Sequence, residues 1–280
     1  MPEDIKQFPP TGAIAVMAFA GWNDAGEAAT GVVNHLIETF NAQLVDTINP
    51  DEFYDYQIAR PRIRLEGDER VIEWSTTKFF LAPATNERPT FVFVQGIEPN
   101  LKWQSFCLEI MEKLHALNVA SVISLGALLA DAPHTRPIAV TAVSNDKQLA
   151  DLLGLEKSTY EGPTGIIGVL HNYLSLSNIP TISLWAALPH YVSSPPNPKG
   201  SLALITRIED LTNIDLPSGD LPEEARAWQV GVDEMAQEDD EIAEYITRLE
   251  ENVDTTDLPE ASGEAIAREF ERYLKRRGDN

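Results

Sequence analysis

Two histidines and their charged neighbours carry the most varied chemistry in this chain. Asp131, His134 and Arg136 lie on one short stretch interrupted by Pro133 and Pro137. In such a setting His134 can act as acid or base, Asp131 can orient its ring, and Arg136 can hold a carboxylate or phosphate. His190 follows an apolar run ending at Leu188-Pro189, and Asp24 follows another that ends in Gly21. The same side chains also have a bland reading, in which a proline-braced loop pairs its charges internally or across a subunit contact. HExxH, a histidine pair and a GxSxG elbow are all missing, so neither a metal centre nor a cofactor is expected. Cys107 is the single cysteine, which excludes an intramolecular disulfide and a multi-cysteine zinc site.

Three small-residue loops could hold a ligand. They are Gly21-Trp22-Asn23-Asp24-Ala25-Gly26, the loop begun by Gly126, and Glu161-Gly162-Pro163-Thr164-Gly165. Each follows a strand or opens a helix, where open α/β sheets bind ligands and helix N–H groups point outward. Gly21, Asn23, Asp24, Gly126, Thr164 and Gly165 are therefore candidate contacts, with the N–H groups of Gly126 and Gly165 as anion donors. None of the loops is a GxGxxG or a P-loop, and no lysine follows to meet a phosphate. The structural alternative is tight turns, with Asn23 or Asp24 capping the next helix and Glu161 opposing an anion.

These residues need elements to position them. Ile14 to Ala20 predicts a buried strand, and Ala25, Ala28, Ala29, Val32, Val33, Leu36, Ile37 and Phe40 give a helical stripe. Leu44–Ile48, Thr90–Gln95, Val119–Leu125, Ile138–Val143 and Ile179–Leu188 are further strands. Helices are expected over Trp103–Leu117, Asp146–Leu153, Gly165–Leu176 and Ser201–Leu211. His35, His115 and His171 fall in or beside helices, in surface or packing roles. The repeating strand–loop–helix order predicts an α/β fold with a mostly parallel sheet flanked by helices on both faces. Residues 50–85 break the rhythm with short β-prone pieces and a Gly67-Asp68 turn, which predicts an antiparallel insertion.

The division expected is an α/β domain over 1–212 and an acidic helical extension over 213–280. Sixteen acidic residues lie between 213 and 262, against Arg226 and Arg248 alone. Ile242, Tyr245, Ile246, Leu249 and Val253, and later Ile266, Phe270 and Leu274, keep helical spacing there. With 21 basic and 44 acidic residues the net charge is −23, a field that repels nucleic acid and anionic membranes. The first residues lack the pattern of a signal peptide, and Val119–Ala130 is too short and too polar to span a bilayer. A cytoplasmic protein is expected.

In Phe19 to Gly26, Gly126, Pro133-His134-Thr135-Arg136-Pro137, Glu161 to Gly165 and Pro189-His190-Tyr191, in that order, the chain resembles the proteasome assembly chaperone family in its actinobacterial form. The likeness runs over about residues 13–211 and implies a phosphorylase/hydrolase-like fold. It also implies self-association as rings or trimers, and a chaperone or scaffold role. Some relatives carry names suggesting carboxylate–amine ligation, yet no ATP-grasp signature or phosphate loop supports that here. Eukaryotic and archaeal members often end in a hydrophobic–tyrosine–any-residue tail that enters proteasome pockets. This chain ends Lys275-Arg276-Arg277-Gly278-Asp279-Asn280, with Tyr273 too far in, so docking by that route is not expected.

Three functions stand open. One is a homo-oligomeric, non-catalytic assembly protein, most naturally a trimer, with a proteasome-related or other basic protein partner. The second is a hydrolase or ligase acting on a small anionic or amide substrate through Asp24, His134, Arg136 and His190. The third is a small-molecule-binding regulator using the same cleft without turnover. Geometry separates them: side chains converging on one pocket favour the enzyme, and side chains paired to each other favour the assembly protein.

Overall fold

The computed structural model describes residues 7–155 and 160–255. In chain order they form β1 (Ala13–Ala20), α1 (Ala28–Thr39), β2 (Gln43–Thr47), β3 (Arg62–Glu66), β4 (Glu69–Glu73) and β5 (Lys78–Ala82). Then come β6 (Phe91–Ile97), α2 (Trp103–Ala116), β7 (Val119–Ala130), β8 (Val140–Val143), α3 (Lys147–Leu153) and α4 (Ile166–Leu176). β9 (Thr181–Pro189), α5 (Pro198–Thr212), α6 (Leu221–Gln237) and α7 (Asp240–Thr255) complete them.

β1 has no charged residue and is buried on both sides. Ile14, Val16 and Ala18 enter one apolar cluster, while Ala15, Met17 and Phe19 enter the other. A strand apolar on both faces needs a layer on each, and the sheet supplies the centre of that sandwich. Its order is β2-β5-β6-β1-β7-β9-β8. The four middle strands, β6, β1, β7 and β9, are parallel. α1, α3 and α5 cover one face, and α2 and α4 the other. The predicted mostly parallel α/β sheet is thus observed. β8 differs from the simple repeat, because it runs antiparallel to β9 at the edge.

β7 is longer than the apolar run Val119–Leu125 suggests. It continues to Ala130 because β9 pairs with it from Val122 to that end, and because the Ala127 N–H donates to the Asn23 carbonyl (2.8 Å) on the other side. Of the short β-prone pieces, β5 enters the main sheet antiparallel between β2 and β6. β3 and β4 form a separate two-stranded ribbon turned by Gly67-Asp68, with Gly67 at φ +62°.

At the acidic end, α6 packs on α5 and α7 packs on α6. Leu221, Ala225, Val232, Ala236, Ile246 and Leu249 are buried in these contacts. Ile266, Phe270, Leu274 and the terminal residues lie outside the described residues.

Phe106 of α2 lies edge-on to Phe19 (5.8 Å between centroids) and to Phe53 (5.3 Å), and is fully buried. Phe106→Ala removes both contacts and leaves a cavity. The expected loss is about 3–5 kcal/mol of unfolding free energy in urea titration. A change below about 1 kcal/mol would mean that this layer repacks freely.

Candidate functional site

The carboxyl ends of the parallel strands carry two groups of polar residues. The first surrounds the turn between β1 and α1. Gly26 and Glu27 both have left-handed backbone, at φ 57° and 51°, and this bends the chain sharply into the helix. Gly26 must also lack a side chain, since a Cβ there would lie 2.9 Å from that of Asn197. Asp24, 6% exposed, accepts from the N–H groups of Ala29 (2.7 Å) and Thr30 (3.2 Å), and from the Thr30 hydroxyl. It thereby satisfies helix donors that have no intrahelical partner. Of the two cap candidates, Asp24 takes the role.

Asn23 is also buried, and its Nδ2 donates to Glu98 Oε1 (2.8 Å). The same Glu98 oxygen accepts from the Ile166 N–H (2.8 Å) at the start of α4. A carboxylate there is favoured by the helix dipole. The place that an external anion could take at the Thr164-Gly165 turn is therefore filled by the chain's own Glu98. Gly165 is needed for closeness, since a Cβ on it would lie 2.2 Å from Asn23 Oδ1. Thr164 is exposed, and its hydroxyl reaches only the Gly165 carbonyl, at 3.4 Å. Gly21 adopts φ +125° at the exposed start of the turn.

Glu98 was not singled out from the sequence, although it follows the Thr90–Gln95 strand and Gly96, a position where functional groups gather. Gly126 lies inside β7 rather than opening a loop. It pairs with Trp185 of β9, and a Cβ on it would lie 2.7 Å from the indole ring. Its role is to let that ring lie flat against the backbone.

The second group sits under the acidic helices. The His134 side chain is 1% exposed, with Nδ1 2.8 Å from the Tyr191 hydroxyl and Nε2 2.8 Å from Asp233 Oδ1 of α6. The His134 N–H also donates to that hydroxyl (2.7 Å). The Thr135 hydroxyl donates to Glu250 of α7, and Arg136 Nη1 lies 3.4 Å from the same carboxylate. The Tyr245 hydroxyl of α7 donates to Asp131 (3.1 Å). His190 Nδ1 lies 3.5 Å from Asp131 Oδ1, within ion-pairing range but without hydrogen-bond geometry. The rings of His134, His190 and Tyr245 each meet Tyr191 edge-on or nearly so. Lys199 donates to the His134 carbonyl and to Gln229 of α6 (2.7 Å). Residues that could do chemistry are here a fastening for α6 and α7. Among the described residues, no group of three or more His, Cys, Asp or Glu could hold a metal ion.

Burial dominates the titration of three groups. Asp24 is raised from 3.8 to about 6, because loss of water outweighs the hydrogen bonds from Thr30 and Ala29. Tyr191 is pushed up to about 12, chiefly by burial. His171, whose Nε2 accepts from the Asn145 N–H (3.3 Å), is lowered to about 4, also by burial.

For Asp24 the folded form binds its proton more tightly than the unfolded one. Its stabilising contribution is complete below pH 3.8 and is lost as the pH rises through about 6. His171 acts oppositely, stabilising above its unfolded value near 6.5 and losing that as the pH falls toward 4. A variant comparison separates the two. The deficit of Asp24→Asn relative to the parent should shrink by about 2 kcal/mol between pH 4 and pH 7. A pH-independent deficit in urea titrations would contradict this. At the second group, His134→Ala strands Tyr191 and Asp233, so amide exchange in α6 and α7 should accelerate at least about tenfold while β1 and β7 stay protected. Equal acceleration throughout would refute a local fastening.

Residues 18–236 match the model of the PAC2 family. A solved PAC2 family protein from Streptomyces avermitilis is 47% identical over 83% of this chain and 99% of its own, with TM-score 0.79. A Mycobacterium tuberculosis proteasome-assembly chaperone homologue is 41% identical over the same shares, with TM-score 0.76. The archaeal homologue PbaA of Pyrococcus furiosus, 16% identical over 80% of this chain and 92% of its own at TM-score 0.57, shares the fold alone. No functionally curated protein matches the chain. The family match spans most of the chain, from β1 into α6, and on that ground the chain belongs to the PAC2 family.

Proposed function

We propose that this protein is a cytoplasmic, non-catalytic assembly factor that self-associates and acts through protein–protein contacts, with a proteasome-related protein as partner. One observation carries the reading: the polar side chains at the strand ends are engaged in holding the fold. Asp24 caps α1, Glu98 joins Asn23 to α4, and His134, Thr135 and Arg136 fasten α6 and α7. A catalytic reading requires several of these to turn toward one substrate. The mycobacterial relative's description as a proteasome-assembly chaperone homologue supports the partner class. No described helix is long and apolar enough to cross a membrane, which agrees with a cytoplasmic site of action.

The hydrolase or ligase alternative has one observation in its favour, the raised Asp24 carboxyl. Both its oxygens already accept from Ala29 or Thr30, which favours the cap over a general base. Affinity capture of the tagged protein from an actinobacterial lysate, at low and at moderate salt with mass spectrometry, tests the proposal. Proteasome subunits are expected in stoichiometric yield, falling as salt rises because the acidic surface steers the encounter. Recovery of the bait alone at both salts would overturn the partner, and would return attention to ligand screening at Asp24, His134 and His190.

A further inference from the structure

α5 presents a second face beside the one that packs on the sheet. Leu204, Ile205 and Ile208 are buried in the core. Lys199, Ala203, Arg207 and Asp210 follow one another at intervals of three or four residues, which puts them together on a neighbouring face. With Leu202 of the same helix, and with Ile138 and Val140 at the start of the edge strand β8, they line a groove of about 410 Å³. That is room enough for a small molecule. Neither Asp24 nor Glu98 lines it, and Lys199 is the residue it shares with the His134 group.

The charged groups of this groove are not spent on each other. Arg207 Nε is shut off from solvent and has no hydrogen-bond partner among the described residues. A buried donor left in that state carries the whole cost of its desolvation, which an acceptor brought by a ligand would offset. Lys199 is already engaged, donating to the His134 carbonyl and to Gln229. Asp210 stands on the next turn from Arg207 and is exposed. No ion pair joins Arg207 to Asp210 or to any other described residue. Residues three apart on a helix hold their Cβ atoms about 5–6 Å from each other. A simple anion at Arg207 would meet the Asp210 carboxylate, and a simple amine at Asp210 would meet the guanidinium. A zwitterion with an apolar body satisfies both charges and the apolar wall together.

We propose that this groove binds an apolar α-amino acid. Its carboxylate accepts from the Arg207 guanidinium, its ammonium donates to Asp210, and its side chain covers Ile138, Val140 and Leu202. The guanidinium suits the first contact because its planar fork matches a carboxylate. The site is independent of the assembly role proposed above, and the failure of either leaves the other standing.

Isothermal titration calorimetry of the full-length protein tests it with leucine and two truncated analogues. One is 4-methylpentanoate, which lacks the ammonium, and the other is 3-methylbutylamine, which lacks the carboxylate. Leucine should bind once per chain, and each analogue at least about tenfold more weakly, since a charged contact is lost in each. Arg207→Met keeps the apolar stem and should abolish the preference for leucine over the amine. Asp210→Asn should abolish the preference for leucine over 4-methylpentanoate. Both positions lie off the buried stripe of α5, and unchanged circular dichroism melting curves would show that the variants fold. No binding of leucine or phenylalanine up to about 10 mM would overturn the site. Equal affinity for leucine and 4-methylpentanoate would overturn the amino-acid class, and leucine binding indifferent to both variants would overturn the placement.

Discussion

A carboxylate nearly shut off from water holds the junction on which this fold turns. Asp24 ties the first donors of α1 to the end of β1, and the neighbouring Asn23 carbonyl holds β7 beside that same end. Remove the carboxylate and the buried N–H groups of Ala29 and Thr30 lose their acceptor, which costs the desolvation of both donors. Glu98 repeats the device at α4, reaching across from β6. Two acidic side chains therefore set the angle at which helices from both layers leave the sheet. The glycines of these turns make room for asparagines, Gly26 for Asn197 and Gly165 for Asn23.

The protein thus keeps the outline of a ligand-binding α/β edge while filling it from within. The position usually offered to an external anion is taken by Glu98, and the imidazole best suited to proton transfer is clasped between a phenol and a carboxylate. Such arrangements stabilise one conformation and lower the chance of side reactions at an otherwise reactive surface. They also couple the strand loops to the acidic helices, since Asp131, His134, Thr135 and Arg136 all have partners on α6 or α7.

How much of this could be read beforehand depends on the range of the interaction. β1, α1, α2 and the parallel core were legible because burial on two faces, or on one helical stripe, leaves a local period in the residues. The antiparallel course of β8 was not, since direction depends on what the neighbouring strand does rather than on Val140–Val143 themselves. The extension of β7 past Gly126 depends on Trp185 and on the Asn23 carbonyl, both far away in the chain. Asp24, His134 and Arg136 could be recognised as residues able to do chemistry. Their actual partners, Thr30, Tyr191, Asp233 and Glu250, could not, because long-range pairing leaves no spacing to detect. Glu98 sat at a legible place and was missed because one acid after a strand looks like many others.

The sheet's connectivity also bears on how the chain reaches this state as it leaves the ribosome. β1 is made first and lies at the centre, yet Ile14 must wait for Phe91 on one side and Ser121 on the other. Until both partners emerge, the most apolar strand has two bare edges, the condition under which nascent chains associate wrongly. Closing such long loops before any contact is rewarded makes for slow folding. α1, following at once, gives β1 an early cover on one face. The acidic helices follow the last strand in the chain, so they can latch only a sheet whose strands have all been made.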